Sequence, residues 1–509
     1  MTWAGMFATG NRESARGWKA GAGGMRTPPR ALSVPLRGAA RRYGADPMRY
    51  GWRPTGRCAG RRIWVGPRDD LAPGKGRGRF CVSPRGPGEA DGDLAEPVST
   101  RPRGTEDVLP DETPRWRRVE RIARESAARA GFGEIRTPTF EHTELIHRIG
   151  DSTDVVQKET YDFSDRGGRS LTLRPEGTAP VVRACMQGGL LGGALPIKVF
   201  YVTLSAFRYE RPQAGRLREH HQFGCECFGV AGPVADAELI VLMADFLAAA
   251  GIRSAVVRIN SIGCDRCRPR YREALLEYYR ERLPDLCADC RRRWGQNPLR
   301  LLDCKVDRPA ALGAPRSVDH LCPECAEHFA GLRTLLDRAH LSYEPDPLLV
   351  RGFDYYTRTV FEFAHAGIGA QAALGGGGRY DSLVASLGGP QLPAAGFGLG
   401  MERLLAALEL EGVGGEPRAG CDLFVAGEDA AGAFDLCVQA RRSGLVAEFD
   451  PLGRSLKAQF RHADRLGARH VAVLGGPSRA VSLRDMRTHQ QRDLAPEDIL
   501  RALADAGGA

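Results

Sequence analysis

The stretch from Tyr201 to Gly229 reads YVTLSAFRYERPQAGRLREHHQFGCECFG and predicts two β-strands joined by a basic loop. The first strand ends near Arg208, and the second returns through Gln222 to Glu226. The loop is rich in arginine, whose rigid fork of donors suits phosphate oxygens. The acidic and amide groups of the returning strand suit a cationic or hydrogen-bonding small molecule. Taken alone, the pattern also fits an exposed hairpin with a solvated basic tip.

This hairpin resembles motif 2 of the class II aminoacyl-tRNA synthetases, in the form seen in the histidyl-tRNA synthetase family. Four further stretches carry the same resemblance, and all follow the family's order. They are RGTEDVLP at 103–110, TLRPEGT at 172–178, RGFDYY at 351–356 and GFGLGMER at 396–403. The first resembles the family's N-terminal signature, the second its amino-acid-binding loop, the third its histidine-specific motif and the last its motif 3.

The resemblance implies an α+β catalytic domain over residues 101–415, built on an antiparallel sheet of the class II synthetase type. It also implies a small helical insertion at about 264–336 and a C-terminal α/β anticodon-binding domain over 420–509. A linker rich in glycine separates the two domains by composition. Residues 135–141 predict a strand in which Pro138 stands as in motif 1, a region that builds the dimer interface in the family. A homodimer is therefore expected.

Residues 1–100 are rich in glycine, arginine and proline and show no helical or strand periodicity. Such a segment buries too little apolar surface to offset the entropy of ordering it. Three interpretations remain open: an upstream extension that does not belong to the natural product, a disordered basic arm that helps to hold RNA, and a transit peptide. We assign the segment no function.

The charge is concentrated at the start of the chain. The formal net charge of the 509-residue chain is +10, and residues 1–68 alone hold fourteen Lys or Arg against two acidic residues. The remainder is near neutral, so RNA affinity there must come from local patches. With 14 cysteines, no secretory signal and no apolar run long enough to cross a bilayer, we expect a soluble, cytoplasmic protein with reduced thiols and no membrane contact.

The resemblance implies a histidine–tRNA ligase, which activates L-histidine with ATP to histidyl-adenylate and then transfers it to the 3′ end of tRNA(His). The first reaction brings two anions together, so it requires fixed positive charge. Three arginines match the family's catalytic positions: Arg208 for the carboxylate and α-phosphate, Arg351 beside them, and Arg403 for the γ-phosphate and adenine. A structural arginine paired with a neighbouring glutamate remains the alternative for Arg208 and Arg403. Mg²⁺ is expected with ATP.

The family's pattern also assigns the substrate pocket. Its positions for the α-amino group of histidine are Glu176, Thr178 and Gln222, and those for the ring are Glu226 and Tyr356, with Tyr355 beside them. One of the two tyrosines is expected to be an ordinary core residue, because consecutive strand residues face opposite sides. ATP contacts are expected from Arg208, Glu210, His220 and Arg403. His220 departs from the family, which commonly has phenylalanine there, and this puts ATP affinity and its pH dependence in question.

The C-terminal domain is expected to contact the anticodon through a basic helix. The candidates for tRNA contact are Arg454, Lys457, Gln459 and Arg461. A solvated helix face explains about half of such side chains equally well. The stretch at 475–480 is shortened relative to the family, so the details of anticodon contact stay open.

The insertion holds seven cysteines with spacing suited to tetrahedral zinc: Cys264, Cys267, Cys287, Cys290, Cys304, Cys322 and Cys325. Reduced structural thiols are the competing interpretation, and the sequence does not select four ligands from seven. Two other functions remain as alternatives. One is a non-catalytic paralogue such as the regulatory subunit of ATP phosphoribosyltransferase, which has lost the key arginines and the C-terminal domain. The other is a general RNA-binding protein, which accounts only for residues 1–100.

Overall fold

The structure is a computed structural model that describes residues 100–150, 156, 159–209, 212, 215–414, 420–475 and 481–506. The predicted extension therefore lies, apart from its last residue, outside the described residues. The same is true of Glu210 and of residues 476–480. Among the helices that the structure describes, none is both long and apolar enough to cross a membrane.

The first regular element among the described residues is the long amphipathic helix α1. The helices, in chain order, are α1 Thr113–Arg129, α2 Thr143–His147, α3 Thr178–Gln187, α4 Val234–Ala250, α5 Arg268–Arg280, α6 Ala288–Gln296, α7 Arg308–Leu312, α8 Pro323–Arg338, α9 Leu383–Ser386, α10 Met401–Leu410, α11 Ala430–Arg442, α12 Leu456–Arg465 and α13 Ile499–Ala506. The insertion contributes α5 to α8, which are mostly short.

Strands form three separate sheets. They are β1 Gly133–Glu134, β2 Phe140–His142, β3 Tyr161–Ser164, β4 Ser170–Leu173, β5 Ile197–Phe207, β6 Glu219–Phe228, β7 Ala255–Ser261, β8 Glu344–Pro345, β9 Thr357–His365, β10 Ala373–Arg379, β11 Ala394–Gly400, β12 Leu423–Gly427, β13 Ala447–Phe449, β14 His470–Leu474, β15 Val481–Asp485 and β16 Gln491–Leu494.

The largest sheet has eight strands in the order β1-β5-β6-β11-β10-β9-β7-β8. Its six central strands pair antiparallel, and only the two short edge strands pair in parallel. The predicted hairpin is confirmed as β5 and β6, which lie next to the glycine-rich strands β11 and β10. An antiparallel sheet of this kind, with helices beside it, confirms the predicted class II catalytic fold.

The two faces of this sheet pack against different helices and form two separate apolar clusters. One face packs against α1 and α4 through side chains such as Val119, Phe223 and Phe246. The other face carries Tyr201, Tyr356 and Tyr380 and packs against α3 and the insertion. Period-two alternation along β5 and β6 sends neighbouring side chains to opposite faces. Gln222 and Glu226 of β6 therefore lie on the side away from α1, whereas the His221 ring contacts Trp116 of α1.

The C-terminal part forms a five-stranded sheet in the order β13-β12-β14-β15-β16. Its first three strands are parallel, and the last two return antiparallel. Helices α11 and α12 connect the parallel strands, and two apolar clusters pack on this sheet. The predicted C-terminal α/β architecture is confirmed, whereas the exact domain boundaries stay predictions.

The strand predicted over residues 135–141 is wrong. β1 ends just before this range, at Glu134, and only the last two residues of the range belong to a strand, β2. Pro138 has no N–H group that could donate a hydrogen bond to a neighbouring strand. The carbonyl oxygens of Thr137 and Pro138 instead accept hydrogen bonds from the Arg174 guanidinium at 2.8 and 2.7 Å. The buried arginine thus takes the place of a neighbouring strand.

Candidate active site

A cavity of about 330 Å³ opens on the polar face of the large sheet. It is built by the hairpin β5–β6, the start of α3, the loop at 351–356 and the glycine-rich strands β10 and β11. Most of the predicted site residues line it: Glu176, Thr178, Arg208, His220, Gln222, Arg351, Tyr355, Tyr356 and Arg403. Stretches more than 200 residues apart in the chain therefore meet in one site.

Glycines make the floor of this cavity. At Gly376 a Cβ would lie 3.0 Å from the terminal nitrogen of Arg351, and at Gly398 a Cβ would lie 3.5 Å from the amide nitrogen of Gln222. Both positions lie on central strands, where glycine weakens a sheet unless close approach requires it. Glycines of both β10 and β11 therefore border the cavity.

Arg208, Arg351 and Arg403 converge on the cavity from three different elements. Burial, together with the positive charge of neighbouring arginines, lowers the pKa of Arg208 and of Arg403 below the usual arginine value. Arg403 donates to the carbonyl oxygens of Gly215 and Ala373 at 2.7 and 2.9 Å, not to a carboxylate. Arg403 is therefore not paired with a glutamate in the way that the structural alternative expected. Such clustered cations favour an anionic ligand.

Arg351 is held by a single carboxylate. Its Nη1 donates to Glu362 Oε2 at 2.9 Å, and this pair is one-fifth exposed. Its buried Nε has no hydrogen-bond partner among the described residues, and the same is true of the buried Oε1 of Gln222. Buried polar atoms without partners are costly. One is a donor suited to an anion and the other an acceptor suited to an ammonium group.

The start of α3 positions the acidic end of the cavity. The Glu176 carboxylate accepts hydrogen bonds from the backbone N–H groups of Thr178 and Ala179 at 2.6 and 2.8 Å. Acidic groups are stabilised there because the first N–H groups of a helix lack partners within it. Burial nevertheless raises the pKa of Glu176 above its usual value.

Glu226 is fully buried next to Thr178 at the start of α3 and does not line the cavity. Its carboxylate accepts hydrogen bonds from Thr178 Oγ1 at 2.9 Å and Tyr201 Oη at 3.5 Å, and also from the Tyr380 hydroxyl. Burial raises the pKa of Glu226 to about 8 despite these donors. Thr178 and Tyr201 both contact Glu226 and line the cavity, so a ligand must pass beside them to reach this carboxyl.

The expectation that Tyr355 or Tyr356 would be an ordinary core residue is wrong. Both line the cavity, with ring centroids 4.7 Å apart. Tyr355 lies in a turn, and Tyr356 lies between this turn and β9, which begins at Thr357, so strand alternation does not apply to them. The position of a turn relative to a strand start was not readable from the sequence.

His220 lies in the cavity, but it does not introduce a titration near neutral pH. Burial and the charges of Arg208 and Arg403 lower its pKa to about 3. The neutral imidazole presents a flat ring where the family commonly has phenylalanine. The neighbouring His221 contacts Glu402 instead, with 2.7 Å between Nδ1 and Oε1.

Sequence reasoning missed several lining or supporting residues: Tyr201, Arg216, Asp303, Phe353, Glu362 and Tyr380. Tyr201, Arg216 and Phe353 lie in stretches already quoted as motifs. Strand alternation could have placed Tyr201 on the cavity face of the sheet. Asp303 belongs to the insertion, and no pattern in the sequence connects it with the site.

The candidates for tRNA contact separate into two groups. Lys457 and Arg461 are exposed, and Arg454 is half-buried with its Nε 2.7 Å from Asp450 Oδ2. The expectation for Gln459 needs correction. Gln459 is 1% exposed, and its amide bonds to the backbone of Gly427 and Arg454. It therefore holds α12 against β12 and is not available to RNA.

The cysteines of the insertion form two groups that could hold a metal ion. The first is Cys264, Cys267, Cys322 and Cys325, and the second is Cys287, Cys290, Cys304 and Asp307. Within each group, the candidate ligand atoms lie within 4.8 Å of one another.

Comparison with known proteins agrees with this geometry. The family model described as histidyl-tRNA synthetase matches residues 104–266 and 301–404. A histidine–tRNA ligase from Moorella thermoacetica is 48% identical over 423 residues, which cover 81% of this chain and 100% of that protein. One from Desulforudis audaxviator is 49% identical over 418 residues, covering 80% of this chain and 99% of that protein.

Solved structures show the same likeness. The apo histidyl-tRNA synthetase of S. aureus is 34% identical, has a TM-score of 0.68 and covers 80% of this chain and 100% of its own. A Bacillus halodurans protein titled as an ATP phosphoribosyltransferase regulatory subunit/histidyl-tRNA synthetase shares the fold with a TM-score of 0.55 at 23% identity, covering 75% of this chain and 99% of its own. The family match and the relatives close to half identical agree, and the chain belongs to the histidyl-tRNA synthetase family.

Proposed function

We propose that this chain is an ATP-dependent histidine–tRNA ligase. It forms histidyl-adenylate and diphosphate from L-histidine and ATP, then transfers histidine to the 3′ end of tRNA(His) and releases AMP. The observation that carries the proposal is the convergence of Arg208, Arg351 and Arg403 on one cavity. The ligase relatives of high coverage support it.

In the first reaction, the histidine carboxylate attacks the α-phosphate of ATP. The two anions repel each other, so the fixed arginines lower the barrier by holding both and by stabilising the charge of the transition state. Arg351 belongs to the 351–356 loop, and the Arg208 guanidinium lies 5.6 Å from the ring of Phe353 in the same loop. We assign these two arginines the carboxylate and the α-phosphate. Arg403, in the first turn of α10, is assigned the γ-phosphate, since a helix N-terminus favours anions. Glu210 keeps its predicted ATP contact only as a hypothesis.

Mg²⁺ would accompany ATP. This ion prefers one or two carboxylates together with phosphate oxygens. Glu362 lines the cavity beside Arg351, so the donor set present fits the ion. When bound, Mg²⁺ would neutralise part of the negative charge of the phosphates. Glu362 would hold it there while keeping Arg351 oriented.

Histidine selection follows from polar groups in an enclosed space. We assign the α-ammonium group to Glu176, Thr178 and the unpartnered oxygen of Gln222, and the ring to Glu226 and Tyr356 with Tyr355 beside it. An amino acid without ring nitrogens would leave such groups unpaired, which a buried site penalises heavily. Glu226 is buried against Thr178 and Tyr201, so the ring must pass beside them to reach it.

The second reaction needs tRNA. We assign anticodon contact to the C-terminal α/β part, with Arg454, Lys457 and Arg461 as candidates on or next to α12. Single-stranded bases are read by hydrogen bonds and stacking. A homodimer also belongs to the proposal. The exposed, edge-to-face pair of Phe140 and Phe163, on strands β2 and β3, supports an apolar interface there.

The alternative of a regulatory subunit remains testable. By the resemblance, such a paralogue lacks the key arginines and the C-terminal part. Here all three arginines line the cavity, and the C-terminal sheet is present. Both observations favour the ligase.

Histidine-dependent ATP–diphosphate exchange tests the proposal. The intact protein should catalyse exchange. Arg351→Ala should lower the exchange rate about 10²- to 10³-fold, as removal of other fixed donors to a transition-state charge does. Arg469→Ala, which removes an exposed arginine of the C-terminal part, is the matched control and should keep full exchange. Histidine binding without any exchange by the intact protein would favour the regulatory subunit.

A further inference from the structure

The insertion between β7 and β8 brings its seven cysteines into two separate groups. The first group joins the turn before α5 (Cys264, Cys267) to the start of α8 (Cys322, Cys325). The second group joins the start of α6 to the turn before α7 and is completed by a carboxylate. Its members are Cys287, Cys290, Cys304 and Asp307. Each group therefore offers four ligand atoms from two distant chain segments.

The distances within the first group match a tetrahedral zinc site. Three neighbouring Sγ pairs, Cys264–Cys267, Cys264–Cys322 and Cys267–Cys325, each lie 3.8 Å apart. A zinc–sulfur bond of about 2.3 Å in a tetrahedron places sulfur atoms about 3.8 Å from one another. A disulfide would need about 2.05 Å. Three of the six sulfur–sulfur distances thus have the length expected for zinc, and all four sulfur atoms lie within 4.8 Å of one another.

The second group has similar dimensions with one oxygen ligand. Cys287 Sγ lies 3.9 Å from Cys304 Sγ, and Cys304 Sγ lies 3.6 Å from Asp307 Oδ2. Zinc–oxygen bonds are shorter than zinc–sulfur bonds, so a shorter sulfur–oxygen edge is expected. The backbone N–H of Asp307 also points at Cys304 Sγ, at 3.4 Å.

Thiolate ligands select zinc over Mg²⁺ or Ca²⁺, which prefer oxygen. Four protein ligands leave no open position, so each site is structural and not catalytic. The insertion consists of short helices, and small units of this kind commonly need metals or disulfides to stay folded.

The second group lies close in sequence to residues that support the active site. Asp303, immediately before Cys304, lines the cavity. Arg300 pairs with Asp303 at 3.1 Å, and the Asn297 side-chain amide donates to Asp354 in the histidine-specific loop. A metal bound to Cys304 would therefore fix the segment 297–303 against the loop that carries Arg351 and Tyr356.

We propose that the insertion binds two Zn²⁺ ions, one in a four-cysteine site and one in a three-cysteine, one-aspartate site. We further infer that the second ion positions the histidine-specific loop through residues 297–303. Asp307 is thus a zinc ligand and acts on histidine binding only through the metal.

Metal analysis of the purified full-length chain tests the stoichiometry. Two zinc ions per chain are expected by inductively coupled plasma mass spectrometry, whatever the enzymatic activity. Cys322→Ser and Asp307→Ala should each reduce the content to one, and Cys437→Ser, which removes a buried thiol outside both groups, should keep two. A content of zero or one in the intact chain would overturn the proposal. Two ions in Asp307→Ala would remove Asp307 from the ligand set.

Cobalt replacement provides a readout that does not require a variant to fold. The Co²⁺-loaded intact chain should show thiolate charge-transfer bands and the intense visible bands of tetrahedral sites at two equivalents. Saturation at one equivalent, or weak octahedral bands, would contradict two tetrahedral sites.

The positioning role is tested by comparing Asp307→Ala with Asp307→Cys. The alanine variant should raise the KM for histidine about tenfold while changing the KM for ATP little, since loss of a supporting group commonly costs 10- to 100-fold. The cysteine variant should restore both the second zinc ion and the histidine KM. Equal effects on the two KM values, or no rescue by cysteine, would refute the link to the histidine-specific loop.

Discussion

Replacement of Glu226 by glutamine tests the proposed recognition of the histidine ring. Burial raises the pKa of Glu226 to about 8, so only about a tenth of the carboxyl is ionised at pH 7. The ionised carboxylate is a much stronger acceptor of a ring N–H than the protonated carboxyl. We therefore expect histidine to bind the ionised form and to displace the proton of Glu226.

The size of the effect follows from this pKa. The fraction of ionised Glu226 rises from about one in eleven at pH 7 to one in two at pH 8, so histidine affinity should improve about fivefold over this interval. At pH 7, binding should release about 0.9 proton per histidine. The imidazole of histidine, with a pKa of about 6.5, stays largely neutral in this range.

Isothermal titration calorimetry measures both quantities. Titrations at pH 7 and pH 8, each in two buffers of different ionisation enthalpy, give the affinity and the number of protons released. In Glu226→Gln the Thr178 hydroxyl keeps an acceptor, but the site no longer titrates, so affinity should be weaker and independent of pH. An intact protein whose affinity is the same at both pH values, with no proton release, would refute a role of Glu226 as the ring's acceptor.

The same carboxyl makes stability depend on pH. Its folded-state pKa lies above the ordinary value of about 4.3, so its contribution is fully present below that value and is lost as the pH rises towards about 8. Glu226→Gln should flatten this loss in thermal unfolding between pH 5 and pH 8.5. A variant that follows the slope of the intact protein would show that other groups cause it.

Three further variants probe the scaffold and the ATP site. Arg379→Ala should lower the free energy of unfolding by about 3–5 kcal/mol in urea, because it removes the buried guanidinium that pairs with Asp236 and leaves this buried carboxylate only His328 and Thr359 as partners. Gly396→Ala should prevent folding or lower the free energy of unfolding by more than about 3 kcal/mol, since its Cβ would lie 1.7 Å from a Glu226 oxygen. Its control, Gly295→Ala in the open last turn of α6, should leave the free energy of unfolding unchanged or raise it. His220→Phe should leave the pH profile of the KM for ATP unchanged between pH 6 and pH 9, because the pKa of His220 is about 3.

Much of the fold was readable because local rules and tertiary packing agree. The strand pair of the 201–229 stretch and the α/β pattern of the C-terminal part are where the sequence predicts them. The strand expected at 135–141 failed because its hydrogen-bond partner is a side chain, Arg174, from a distant part of the chain. No local signal reports such a partner.

The sequence alone determined the family, the ligase chemistry and the identities of most cavity residues, because these are carried by side-chain types in recognisable local motifs. Only the tertiary structure decided that Glu226 is buried against Thr178 and Tyr201, that Gln459 is buried, and that seven cysteines and Asp307 divide into two groups of four. These facts depend on which distant segments meet. Distances between such segments, and the burial they cause, arise only when the whole chain packs.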